Sequence, residues 1–122
     1  AEALAGRALP LRADSAAFAA GLVRDGAAKS VIVARGADGS VIAGPEGAWH
    51  AQAAPVPVVS AVGAGDSFVA GYVLAMARGW AVPEALALGA AGASAAVMTP
   101  ATELCHAHDV ERLFAQRSVS RL

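Results

Sequence analysis

The chain has one cysteine, Cys105, in 122 residues. That excludes an internal disulfide and any cysteine-built zinc site, and it fits a reducing cytoplasmic setting. It also lacks a charge bias. Nine Lys and Arg against ten Asp and Glu give a net charge of −1, so no basic surplus exists to draw nucleic acid or an acidic membrane surface. No Gly-x-x-x-x-Gly-Lys-Ser/Thr run occurs, which argues against a P-loop nucleotide protein. No charged-then-apolar targeting segment opens the sequence. One long uncharged run, Ala85 to Thr102, approaches the length of a membrane span. It is mostly Ala and Gly and carries Ser94, Thr99 and Pro100, so it reads as a core helix and a loop. Repeats, linkers and low-complexity tracts are absent apart from an alanine bias.

What is present is apolar and small. Hydrophobic residues make up 57% of the chain, and alanine supplies 34 of them. Leu, Val, Ile and Phe number 29, above the range of disordered chains. One folded domain with close helix packing is expected. An apolar share this large in so short a chain also implies a surface that something else covers.

After a short helical start interrupted by Pro10, Asp14 or Ser15 is placed to cap a helix ending at Asp25-Gly26. Ser30 to Ala34 is a β-branched run with the length of a buried strand. The Asp38-Gly39 turn and Val41-Ile42-Ala43 make a hairpin with it. A third strand is expected over 48–53. Helices follow from Asp66 to Arg78, from Val82 to about Val97 with Pro83 in its first turn, and from an Asp109 cap to Gln116. Phe68, Val69, Tyr72, Val73 and Met76 cover more than one face of the first of these, which predicts a largely buried helix. Residues 98–102 read as a loop. The order of elements indicates an α/β fold with too few strands for a sheet of ordinary width, so the chain looks like one end of a larger sheet.

The chemistry concentrates in Val59-Ser60-Ala61-Val62-Gly63-Ala64-Gly65-Asp66-Ser67-Phe68-Val69-Ala70-Gly71. Two glycines let backbone N–H groups converge at the start of a helix, whose free amides and dipole suit a phosphate. Asp66 at the mouth of this cradle has two readings. It caps the helix, or it handles a proton during phosphoryl transfer.

This stretch resembles the second signature of the PfkB (ribokinase-like) carbohydrate kinases, a Gly-Ala-Gly-Asp turn followed by Ser or Thr, Phe, and a small residue before Gly. Gly63 to Asp66, Ser67, Phe68, Ala70 and Gly71 match it. Val31 to Gly39 resembles the family's strand and nucleotide loop. Val62 and Leu104-Cys105 are similar to the phosphofructokinase branch. The resemblance implies the C-terminal, nucleotide-binding portion of a ribokinase-like, Rossmann-type three-layer fold, with an incomplete sheet and without the sugar-binding half and lid. It implies ATP-dependent phosphorylation of a sugar phosphate such as fructose 6-phosphate or fructose 1-phosphate, with Asp66 as general base. Gly63, Ala64 and Gly65, together with the Asp66 amide, would form the anion hole. Gly36, Gly39, Gly63, Gly65 and Thr99 would border the nucleotide. Magnesium would travel with ATP, with no complete metal site here. A monovalent cation would sit near Ala96, Thr99 and Ala101. The full-length protein would be a cytoplasmic homodimer. Three departures stand out: Ser60-Ala61 replaces a common Asp-Thr pair, Ala34-Arg35 replaces a Thr or Ser before the loop glycine, and Glu103 stands where some phosphofructokinase-like members have Arg.

Within the same class, a ribokinase-like sugar or nucleoside kinase is the alternative. From another class, a truncated remnant without catalysis is a second. Gly36 and Gly39 read equally well as a plain hairpin turn. His106 and His108 are expected as a solvated pair, His50 as a strand-edge surface residue, Cys105 as a small core hydrophobe, and Trp49 and Trp80 as packing residues.

Overall fold

The computed structural model describes residues 1–101 and 103–122; of the expected loop over 98–102, Thr102 lies outside the described residues. Four strands form one antiparallel sheet in the order β1 (Val31–Ala34), β2 (Ser40–Gly44), β3 (Gly47–Ala51) and β4 (Val119–Arg121). The helices are α1 (Glu2–Ala5), α2 (Arg12–Arg24), α3 (Ala64–Ala77), α4 (Val82–Val97) and α5 (Ala107–Ala115). None of the described helices is long and apolar enough to cross a membrane.

Strand alternation sends side chains to two apolar layers. Ile32, Ile42, Trp49 and Ala51 pack with Phe68, Leu86 and Ala90 of α3 and α4. Val31, Val33, Ala43 and Ala48 pack with Ala19 and Ala20 of α2. The sheet therefore lies between helices on both faces, the expected three-layer α/β arrangement. A third cluster seats α5 on α4 through Ala91, Ala95, Leu113, Val110 and Phe114, with Cys105 packed beside it. Trp80 meets Phe114 at 5.6 Å between ring centroids, and Arg117 spans from Glu84, at 2.9 Å, to the face of Phe114.

α3 and α4 approach at backbone distance because glycines face the contact. A Cβ on Gly71 would lie 2.8 Å from the Leu88 carbonyl oxygen. One on Gly89 would lie 2.9 Å from that of Phe68, and one on Gly92 2.8 Å from that of Ser67. The start of α3 is thus fixed against α4 by contacts that tolerate no side chain.

Several expectations are corrected. β4 was not foreseen. α2 begins at Arg12, and Asp14 is its third residue, reaching back to accept the Leu11 N–H at 2.9 Å. Ser15 is buried within the helix rather than capping it. α5 begins at Ala107 with His106 at the cap, and Asp109 pairs with Arg112 instead. α3 is not largely buried, since Val69, Val73, Leu74 and Met76 are exposed, as are Val58, Val59 and Val62 before it. His50 is no surface residue. The register opposite Val41 turns it to the α2 face, where it is 2% exposed and its Nε2 donates to the Asp38 carbonyl at 2.5 Å. His106 and His108 do form an exposed, stacked pair.

Candidate active site

The approach to α3 is tied to the end of α4. The Val59 and Ser60 N–H groups both donate to the Val97 carbonyl, at 2.7 and 3.2 Å. The Ser60 hydroxyl accepts the Val62 N–H at 3.2 Å. Gly63 then takes φ +82° and forms the N-cap, a left-handed conformation that a side chain would strain. The first helical bond runs from the Ser67 N–H to the Gly63 carbonyl at 2.9 Å.

Three amides precede that bond. The Ala64 N–H makes a long turn contact of 3.4 Å with the Ala61 carbonyl. Those of Gly65 and Asp66 have no acceptor among the described residues. Nothing lies within 4 Å of where a Cβ on Gly63 or Gly65 would point. Free amides, open space and the positive end of a fourteen-residue helix together make an anion cradle.

Asp66 is the third residue of α3, not its start, and is exposed. No side-chain capping bond forms at this helix end, which removes the capping reading. The carboxylate stands free beside the cradle, able to accept a proton from a group held there. Phe68, two residues further into the helix, is buried and anchors it in the core, and Gly71 gives the close approach to α4. The motif thus divides into turn, acid, anchor and packing contact.

The other candidate residues lie in two places. Gly36 opens a single 3-10 turn, Gly36–Asp38, at φ +59°, and a Cβ there would meet nothing. Gly39, at φ +86°, faces β3, where a Cβ would fall 2.0 Å from the Ala51 carbonyl oxygen. Gly39 is therefore required by chain packing, while Gly36 faces open space. Thr99 is buried just beyond α4. Its hydroxyl donates to the Ala96 carbonyl at 2.9 Å and lies 3.4 Å from that of Glu103. The Val97 bonds bring the Thr99 corner and the Ser60 segment together. Among the described residues no hydrogen bond or ion pair links the Gly36 turn to the Gly63–Asp66 turn.

Sequence reasoning missed the ionic anchor of the Gly36 turn. Asp38 accepts from Arg12 at 2.5 Å and from Arg35 at 2.8 Å. Hydrogen bonds from Arg12 first, and then Arg35, hold its carboxyl well below the usual carboxylate range. The partners are 26 and three residues away, so no local pattern announces the cluster. Also unforeseen is a cavity of about 170 Å³ where Ala51, Ala54, Ala87, Ala90 and Ser94 meet the end of α5.

Residues 1–109 match the family model described as pfkB family carbohydrate kinase. The chain belongs to this family. It is 37% identical over 93 residues to the ATP-dependent 6-phosphofructokinase isozyme 2 of Mycobacterium tuberculosis, which covers 76% of this chain and 27% of that protein. It is 34% identical over 116 residues to the enzyme of the same name from Escherichia coli, covering 95% of this chain and 38% of that protein. The crystal structure of phosphofructokinase-2 from Escherichia coli in complex with potassium superposes with a TM-score of 0.86. That match has 33% identity and covers 94% of this chain and 37% of the other. The fold is accordingly a part of the ribokinase-like kinase fold, and the chain spans well under half the length of these PfkB relatives.

Proposed function

We propose that this chain is the C-terminal, nucleotide-binding portion of a kinase that transfers phosphate from ATP to a hydroxyl of a sugar phosphate, in the manner of the phosphofructokinases. The observation that carries the proposal is the free Asp66 carboxylate beside the unpartnered Gly65 and Asp66 amides. Asp66 takes the proton of the attacking hydroxyl, a role that typically contributes about 10²–10⁴-fold to rate. The amides of Ala64, Gly65 and Asp66 stabilise the charge on the transferred phosphoryl group, with Gly63 setting the turn. Gly36, Gly39 and Thr99 border the nucleotide.

In this reading magnesium arrives with the nucleotide. A monovalent cation near Ala96, Thr99 and Ala101 is supported by the carbonyls gathered at the Thr99 hydroxyl and by the potassium complex of the Escherichia coli relative. The cytoplasm and a homodimer are the setting and assembly proposed for the intact enzyme.

The second reading is a remnant that folds without catalysis. The exposed apolar side of α3 favours it for the chain in isolation, because the acceptor-binding half that would cover that side is contributed by other residues. The test is a phosphorylation assay of the intact protein with ATP and a panel of fructose 6-phosphate, fructose 1-phosphate, ribose and a nucleoside. Turnover of a sugar phosphate is expected, with none from these 122 residues alone. Turnover of ribose or a nucleoside only would move the assignment to the alternative branch. No ATP-dependent turnover of any acceptor by the intact protein would overturn it.

A further inference from the structure

The Gly36 turn is held far more firmly than its length requires. Arg35, whose side chain is 14% exposed, donates five hydrogen bonds around one point. Its Nε reaches Asp38 Oδ2 at 2.8 Å. Its Nη1 reaches the Ser15 Oγ at 2.6 Å and the carbonyls of Leu9 and Leu11 at 3.0 and 3.3 Å. Its Nη2 reaches the Pro10 carbonyl at 2.8 Å. The other carboxylate oxygen of Asp38 accepts from Arg12 Nε at 2.9 Å and Nη2 at 2.5 Å. The Asp38 carbonyl takes the buried His50, and the turn closes on itself through Gly39 N–H to Gly36 O at 3.0 Å and Arg35 N–H to Gly39 O at 2.8 Å. The turn is thereby fastened to the 9–11 segment, to α2 and to β3 at once. Gly36 is left facing open space.

We infer that Arg35 and Asp38 are positioning residues for nucleotide binding, holding the Gly36 backbone in the one conformation that can lie against ATP. The inference rests on the proposed reading of this turn as nucleotide-facing. Two features distinguish it from plain packing. All three guanidinium nitrogens of Arg35 donate to the turn, the segment behind it and α2, a geometry that a lysine with three donors cannot reproduce. Two guanidinium groups also share a single carboxylate, leaving the cluster with net positive charge beside a site for an anionic ligand.

The experiment uses the intact enzyme, steady-state kinetics with ATP and the sugar phosphate varied separately, and thermal melting. Asp38→Asn keeps the volume and removes the charge. Its KM for ATP is expected to rise about tenfold, since a small displacement of a positioning group is costly. KM for the sugar phosphate should stay within about twofold. Arg35→Lys should behave the same way. If Asp38→Asn does not fold, Arg12→Gln removes only the outer pair, and a rise of about threefold in the ATP KM alone is expected. Gly36→Asn tests the underlying reading, because Asn tolerates φ > 0 and its side chain would enter only the open space. A raised ATP KM in Gly36→Asn without one in Asp38→Asn or Arg35→Lys would overturn the positioning role and leave the nucleotide turn standing. Equal changes for both substrates, tracking a lower melting temperature, would also overturn it in favour of a purely structural role. No effect on ATP in any variant would remove the nucleotide-facing reading itself, and this inference with it.

Discussion

Gly92→Ala tests whether the α3–α4 contact holds the candidate base in place. The new Cβ would lie 2.8 Å from the Ser67 carbonyl oxygen and 3.4 Å from its carbon. Ordinary contact begins near 3.4 Å, so α4 must recede, or the first turn of α3 must shift, by about half an ångström. Such overpacking costs about 1–3 kcal/mol, and the intrinsic helix preference of Ala over Gly returns up to about 1 kcal/mol. Gly65→Ala is the reference, as it lies in the first turn of α3 and its Cβ would meet nothing. Gly92→Ala should therefore melt below Gly65→Ala, by about 2–4 °C for each kcal/mol in an enzyme of larger size. Because Ser67 follows Asp66 directly, kcat of the intact Gly92→Ala enzyme should fall about tenfold, in line with the steep cost of misplacing a reacting group. Thermal melting and steady-state kinetics read both effects. Equal melting temperatures and unchanged kcat would show that the glycine contact does not position Asp66.

Two further predictions concern the anchor of the Gly36 turn. Asp38 has its carboxyl held low by Arg12 and Arg35, so the stability it contributes is complete above its ordinary value of 3.8 and is lost as pH falls towards its lowered folded value. The melting difference between the native enzyme and Asp38→Asn should accordingly be constant at neutral pH and shrink in acid titrations below about pH 4. A difference that grows on acidification would contradict the ion pairs. His50→Phe keeps a ring on the α2 face but leaves the Asp38 carbonyl without its donor, a loss of about 1–3 kcal/mol. Denaturant unfolding should show that drop, and an unchanged midpoint would mean that the bond carries no net stability.

Much of the fold was legible where the signal is local. The Val31–Ala34 run, the Asp-Gly turn, and Pro83 at the start of an Ala-rich segment fixed β1, the hairpin and α4 closely. The candidate site was also legible, because a turn, its glycines and the following acid lie within four residues. What escaped depends on distant partners. β4 is three residues long, and its pairing with Trp49–Ala51 across the chain makes it a strand. His50 looked like a surface residue because alternation implies one wet face, whereas helices cover both faces of this sheet. The Arg12–Asp38–Arg35 cluster joins three segments and leaves no local pattern. The side of α3 expected to be buried is apolar as read but exposed here, so hydrophobicity alone could not say what would cover it.

The most direct test of the account is Asp66→Asn in the intact enzyme, measured for turnover and for ATP affinity. The substitution keeps the side-chain volume and leaves the cradle amides in place, removing only the group that accepts a proton. Turnover should fall by about 10²–10⁴-fold, while the ATP dissociation constant changes by less than about threefold and melting is unaltered, since Asp66 makes no capping bond. Near-normal turnover by that variant would contradict the assignment of Asp66 as the base.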